Sequence, residues 1–138
     1  MYSPEKFMTV ELVDEVVREL TWPVRYTLEE CDPDGVAMDF DGGTVMFVEG
    51  FEGHVRIKLL ADDIDLPRSV TLTEVIIAMR DAGSVPPTPT LIDDSSPSAS
   101  RDKVRNGIRD QATLLLTFLP GFLRGDRTWV DVVRPHVR

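Results

Sequence analysis

The chain has 138 residues, 42% hydrophobic and 28% charged, with a formal net charge of −9. That is the length of one ordinary domain, and the balance excludes intrinsic disorder as the chain's main state. No apolar run reaches the roughly 18 residues of a membrane helix, the N-terminal "MYSPEKFMTVELVDE" has neither a basic n-region nor an apolar h-region, and a single cysteine, Cys31, excludes an internal disulfide or a cysteine-based zinc site. A soluble, cytoplasmic protein is expected, and twelve Arg against three Lys point to a GC-rich bacterial source.

Residues 4 to 20 read as a helix. Leu12, Val13, Val16, Val17 and Leu20 recur at helical spacing, with Asp14, Glu15, Arg18 and Glu19 filling the other side. Ser3-Pro4 supplies one start signal and Thr9 a second. Pro23 turns Trp22 away from helical dihedrals and ends the element.

A series of short strands follows. In "VRYTLEEC" Val24, Tyr26 and Leu28 alternate with Arg25, Thr27 and Glu29. "DPDG" at 32–35 suits a type I turn. "VAMDFD" alternates Val36, Met38 and Phe40 against Ala37, Asp39 and Asp41, and "TVMFVE" comes after only Gly42-Gly43. A two-residue Gly-Gly loop predicts a type I′ hairpin, pairing 40 with 45, 38 with 47 and 36 with 49. Phe40, Val45, Met38 and Phe47 would then share the core face, leaving Ala37, Asp39, Asp41, Met46 and Val48 on the other. "GFEG" turns the chain into "HVRIKLL", where Val55, Ile57 and Leu59 alternate with Arg56 and Lys58. Four strands joined by tight turns predict an antiparallel meander.

"TLTEVIIAMRDAG" predicts a second helix. Thr71 and Glu74 form a capping box, Val70 and Val75 a hydrophobic staple, and Gly83 sits where the helix end wants positive φ. Residues 84–100, "SVPPTPTLIDDSSPSAS", have the composition of a flexible linker. A third helix starts near Ser100, with a stripe of Val104, Ile108, Ala112, Leu115 and Leu119 widened by Leu114, Leu116 and Phe118, and stops at Pro120-Gly121. In "FLRGDRTWVDVV" the β-branched residues permit a strand, but Asp126 as a cap favours a helix. The prediction is one α+β domain over 1–138: an N-terminal helix, a four-stranded antiparallel meander, then two helices packed on the sheet.

The chemistry-bearing motifs are few. "MDFDGG" resembles the nucleophile motif of haloacid-dehalogenase-type phosphatases, with Asp39 as nucleophile and Asp41 as acid/base. That activity needs a parallel α/β sheet and Asp-x-Asp-Gly-Thr/Val; here Gly43 intervenes before Thr44 and another strand follows at once, so the hairpin reading is preferred. Asp32, Asp34, Asp39, Asp41, Asp62, Asp63 and Asp65 are oxygen ligands suited to calcium or magnesium, but their spacing matches no calcium loop, and no metal or cofactor is expected. A Cys31–His54 pair lacks an orienting third group. Arg124-Gly125-Asp126 reads as a turn. "RDKVRNGIR" interleaves its bases with acids, so nucleic acid is not an expected partner; Arg105 and Arg109 are expected to answer the acidic sheet.

Charge is uneven. Residues 1–66 hold sixteen acids against five bases, residues 67–138 eight against ten. The acidic half repels nucleic acid and membrane surfaces and steers toward a basic partner, or else simply keeps the chain soluble.

"LLLTFLPGFLRGDRTWVDV", residues 114–132, is similar to the ending of small acidic bacterial proteins of the toxin-immunity type, in which a long apolar helix runs into Leu-x-Gly-Asp and an aromatic residue. Leu123, Gly125, Asp126 and Trp129 carry the match. The helix–meander–helix order also resembles type III secretion chaperone-like domains. The first resemblance implies a non-enzymatic protein that blocks a cognate, often basic, toxin. Its partner-binding residues are expected among the acids of the sheet and its loops: Glu29, Glu30, Asp32, Asp34, Asp39, Asp41, Glu49 and Glu52. The second implies a dimer that binds through apolar surface; a small hydrolase is the third reading, and a homodimer is open.

Overall fold

The computed structural model describes residues 8–31, 35–51, 54–62, 64, 66–83 and 101–137. The predicted linker at 84–100 lies outside them. Helix α1 (Val10–Val17) starts at the later of the two sequence signals: Thr9 is extended and its Oγ1 accepts the Leu12 N–H at 3.2 Å. Of its predicted stripe, Leu12, Val13, Val16 and Val17 are buried, while Leu20 lies beyond the helix end at Val17 and is half-buried.

Five strands follow as one antiparallel sheet, in the order β1 (Tyr26–Cys31), β2 (Gly35–Phe40), β3 (Thr44–Phe51), β4 (His54–Ala61) and β5 (Val70–Thr71). The four predicted strands are present, and the two-residue β5 is an addition, Val70 pairing with Leu59 just before the second helix. A pair of residues is too short to show periodicity, so only the neighbouring strand reveals it.

The β2–β3 register corrects the predicted hairpin. Asp39 pairs with Val45, Met38 with Met46, Ala37 with Phe47 and Val36 with Val48. The turn is not the two-residue type I′ loop: Gly43 donates its N–H to the Phe40 carbonyl at 3.1 Å, and of the two glycines only Gly43 has positive φ, +85°. Residues 41–43 form a three-residue loop whose last glycine takes the left-handed region. This slip of one residue exchanges the two faces of β3. Met46 and Val48 are fully buried with Val36, Met38 and Phe40, while Val45 and Phe47 lie with Ala37 and Asp39 on the opposite face.

The helical layer covers the first face. Helix α2 (Leu72–Asp81) carries the predicted capping box, with the Glu74 N–H donating to Thr71 Oγ1 at 3.2 Å and the Thr71 N–H to Glu74 Oε1 at 3.0 Å. Gly83 closes it with φ +76°. Helix α3 (Arg101–Phe118) buries Val104, Ile108, Ala112 and Leu115, with Leu119 buried just past its end, as the spacing predicts, and its buried Gln111 donates to the Val55 carbonyl at 3.1 Å. A 3-10 turn (Pro120–Arg124) and the short helix α4 (Thr128–Val133) finish the layer. The last element is thus helical, but its N-cap position is Arg127 rather than the predicted Asp126; Asp126, one residue earlier, accepts the Thr128 N–H on Oδ1 at 2.8 Å.

Two features bind the C-terminal segment to the sheet. Thr44 Oγ1 donates to the buried Phe122 carbonyl at 2.7 Å. Gly42 lies against the backbone of Arg124 and Gly125, so close that an added Cβ would sit 2.5 Å from Arg124 C and Gly125 N. An aromatic series runs beneath this contact: Tyr26, Trp22, Phe40, Phe122 and Trp129, with successive ring centroids 5.7–6.2 Å apart. Across the layer, Arg105 pairs with Glu15 and Glu19, and Arg101 with Glu15, joining α3 to α1. The expectation that Arg105 and Arg109 answer the acidic sheet is corrected: Arg105 faces α1, and Arg109 donates to Asn106 Oδ1 on its own helix.

Candidate functional site

The second face of the sheet holds the candidate site. By register, Thr27 and Glu29 of β1, Ala37 and Asp39 of β2, Val45, Phe47 and Glu49 of β3, and Arg56, Lys58 and Leu60 of β4 share it. Four of these are apolar. Ala37, Val45, Phe47 and Leu60 stand apart from the cluster of buried and half-buried hydrophobics that unites the helices with the other face. Ala37 is nonetheless buried among its neighbours, and Val45, Phe47 and Leu60 are half-buried. The Phe47 ring lies over Gly35, whose missing Cβ leaves room for it: a methyl there would meet the ring at 2.2 Å.

The polar groups arrange themselves around that centre. Glu49 is almost fully buried and accepts from Arg56 Nε and Nη2 at 2.9 and 2.7 Å, with Lys58 Nζ at 3.1 Å on the same oxygen. Arg56 is its direct cross-strand neighbour and Lys58 a diagonal one. One carboxylate thus serves two cations. Asp39 is half-buried beside Val45, and Asp41 and Glu29 are exposed. Going round the patch, one flank is acidic and the other is an ion-paired Glu–Arg–Lys group.

The predicted binding acids divide accordingly. Glu29, Asp39 and Asp41 come together at the β1–β2 side of this face or in its turn. Glu30 points to the helix side, because the pleat sets it opposite Glu29. Glu49 is engaged with Arg56 and Lys58 rather than offered outward. Asp32, Asp34 and Glu52 lie outside the described residues. The sequence reading missed Val45, Phe47 and Leu60. "VMFV" is apolar at four successive positions, so it contains no period-2 signal to say which pair faces the core.

β2 is flanked on both sides by antiparallel strands, so Asp39 does not occupy the parallel-sheet setting of the phosphatase motif. Cys31 is on β1 and His54 on β4, with β2 and β3 between them, so the pair is not brought together. Among the described residues no group of three His, Cys, Asp or Glu side chains is placed to hold a metal ion. No described helix is long and apolar enough to cross a membrane.

Fold and site together define an α+β protein in which helices cover one sheet face and no described helix covers the other. No family model, curated protein or solved structure matches the chain. The four residues behind the toxin-immunity resemblance all have structural work: Leu123 and Trp129 are buried in the core, Gly125 bends the chain at φ +94°, and Asp126 accepts the N–H of Thr128, the first residue of α4.

Proposed function

We propose that this is a cytoplasmic, non-enzymatic protein-binding module that covers a basic toxin or effector domain with the sheet face opposite its helices, in the manner of an immunity protein. The observation that carries the reading is the patch of Ala37, Val45, Phe47 and Leu60, apolar and outside the core cluster, flanked by Glu29, Asp39 and Asp41. An apolar centre with a charged rim is the anatomy of a protein interface, and Phe47 is its natural anchor. The net charge of −9 favours a basic partner and speeds encounter with it.

The test is co-expression with the product of the adjacent gene. Rescue of growth, and a complex that Phe47→Asp weakens by at least about tenfold, support the proposal. Absence of both rescue and complex formation would overturn it. A charge-led complex should also weaken steeply between low and high salt. The apolar character of Val45, Phe47 and Leu60 favours a second reading, a chaperone-like homodimer through the same face. Sedimentation velocity separates the two, because only the dimer changes mass without a partner.

A further inference from the structure

The two edges of the sheet are not equivalent. β5 is two residues long and passes directly into α2, so it offers almost no free ladder. β1 is six residues long and pairs one-to-one with β2 from Tyr26↔Phe40 to Cys31↔Gly35, without a bulge. Among the described residues, no backbone hydrogen bond is made on its outer side. A regular strand of this length, free along one edge, is a template for another strand unless something blocks it.

Three observations describe what the edge would accept. On the helix side, Tyr26 and Leu28 remain half-buried although their strand neighbours Phe40 and Met38 are buried, so apolar surface stops short of cover at this margin. Val24, just before the strand, is half-buried in the same way. Near the strand's end, Glu29 and Glu30 are exposed, one on each face, and neither is in an ion pair among the described residues. A second copy of β1 paired antiparallel about the strand's middle would set Glu29 opposite Leu28 and Glu30 opposite Thr27, which leaves both carboxylates without a cation, whereas a basic segment answers them.

We propose that β1 is a receptor edge for an extended basic segment of the partner protein, which continues the sheet as a sixth strand. The segment has apolar residues on the side that covers Tyr26 and Leu28, and adjacent Lys or Arg residues reaching Glu29 and Glu30 on opposite faces. Backbone hydrogen bonds supply the pairing, and the charges select the occupant. This inference rests on the reading of the chain as a binder of a basic protein and assigns the element that recognises it.

Capped ten-residue peptides of alternating valine and threonine, carrying a central Lys-Arg or a central Glu-Glu, provide the probe for nuclear magnetic resonance titration of the full chain. The Lys-Arg peptide should bind at least about tenfold tighter than the Glu-Glu peptide, with amide shifts centred on residues 26–31. N-methylation of alternate peptide nitrogens should abolish binding, and the Glu29→Lys/Glu30→Lys variant should reverse the preference. Equal affinity for both peptides, no binding, shifts centred on Phe47, or indifference to N-methylation would each overturn the proposal. Its failure is distinguishable from failure of the functional reading. A complex with the adjacent gene product that leaves the 26–31 amides unprotected from hydrogen exchange sinks the edge alone. Peptide binding in a chain that neither rescues growth nor binds that product sinks the functional reading alone.

Discussion

Gly42 and Gly43 stand side by side and are needed for different reasons. Gly43 supplies positive φ to the loop, whereas Gly42 supplies room, because the backbone of Arg124–Gly125 occupies the place of its missing Cβ. Gly42→Ala should therefore destabilise the fold by about 1–3 kcal/mol through forced separation of the turn from the C-terminal segment. Gly83 is the contrast: nothing lies within 4 Å of its added Cβ, so Gly83→Ala should cost only the left-handed conformation, about 1 kcal/mol. Urea unfolding midpoints for the two variants check the order. Glu49 is the third residue with a defined role. Removing it leaves Arg56 and Lys58 side by side on one face without their shared carboxylate, and Glu49→Ala should cost about 1–2 kcal/mol, between the values for exposed and fully buried pairs. Equal stability of that variant in urea would show the triad to be neutral.

Among the elements, β3 decides most. Its register makes Met46 a core residue and Phe47 a surface one, the reverse of the assignment suggested by a Gly-Gly hairpin. Met46→Ala should cost about 2–4 kcal/mol, a large-to-small core change. Phe47→Ala should stay within about 1 kcal/mol, although Phe has the larger ring. Near-equal losses would put the register in question. The helices were more legible. The stripes of α1, α2 and α3, the capping box of Thr71 and Glu74, and the glycine at 83 follow from local rules, because helical spacing and caps depend on residues within one or two turns. The two-residue β5 and the choice between Val45/Phe47 and Met46/Val48 do not. Thr44 reaching the Phe122 carbonyl, and Gly42 meeting Gly125, are contacts between segments about eighty residues apart, and they fix the turn that sets the register.

For the molecule as a whole, ion pairs tie the N-terminal helix to α3. Hydrogen bonds from Arg101 and then Arg105 hold the Glu15 carboxyl below its ordinary value of 4.5. Burial alone would raise the Glu74 carboxyl, but the Arg68 guanidinium and the Thr71 N–H and hydroxyl more than offset it and hold it below the same value. For both groups the folded-state value is depressed. Their contribution is therefore present above about pH 4.5 and is lost as pH falls through 4.5 and the lower folded-state values. Thermal unfolding followed from pH 6 to pH 3 should show this loss, flattened in a Glu15→Gln/Glu74→Gln variant; an unchanged slope would remove these two carboxylates from the acid response.

The sequence by itself determined the element order, the helical faces, the antiparallel meander and the acidity of the first half. Each depends on local spacing, turn chemistry or a count of charges. Only the tertiary structure decided which apolar residues of β3 enter the core, that Glu49 is consumed by Arg56 and Lys58, and that Arg105 answers α1 rather than the sheet. Four successive apolar residues satisfy either register equally, and a carboxylate's partner is chosen by strands and helices distant in sequence. The candidate site was therefore legible in its rim, through Glu29, Asp39 and Asp41, and hidden at its centre, through Val45, Phe47 and Leu60, where burial against the sheet's other face had first to claim Met46 and Val48.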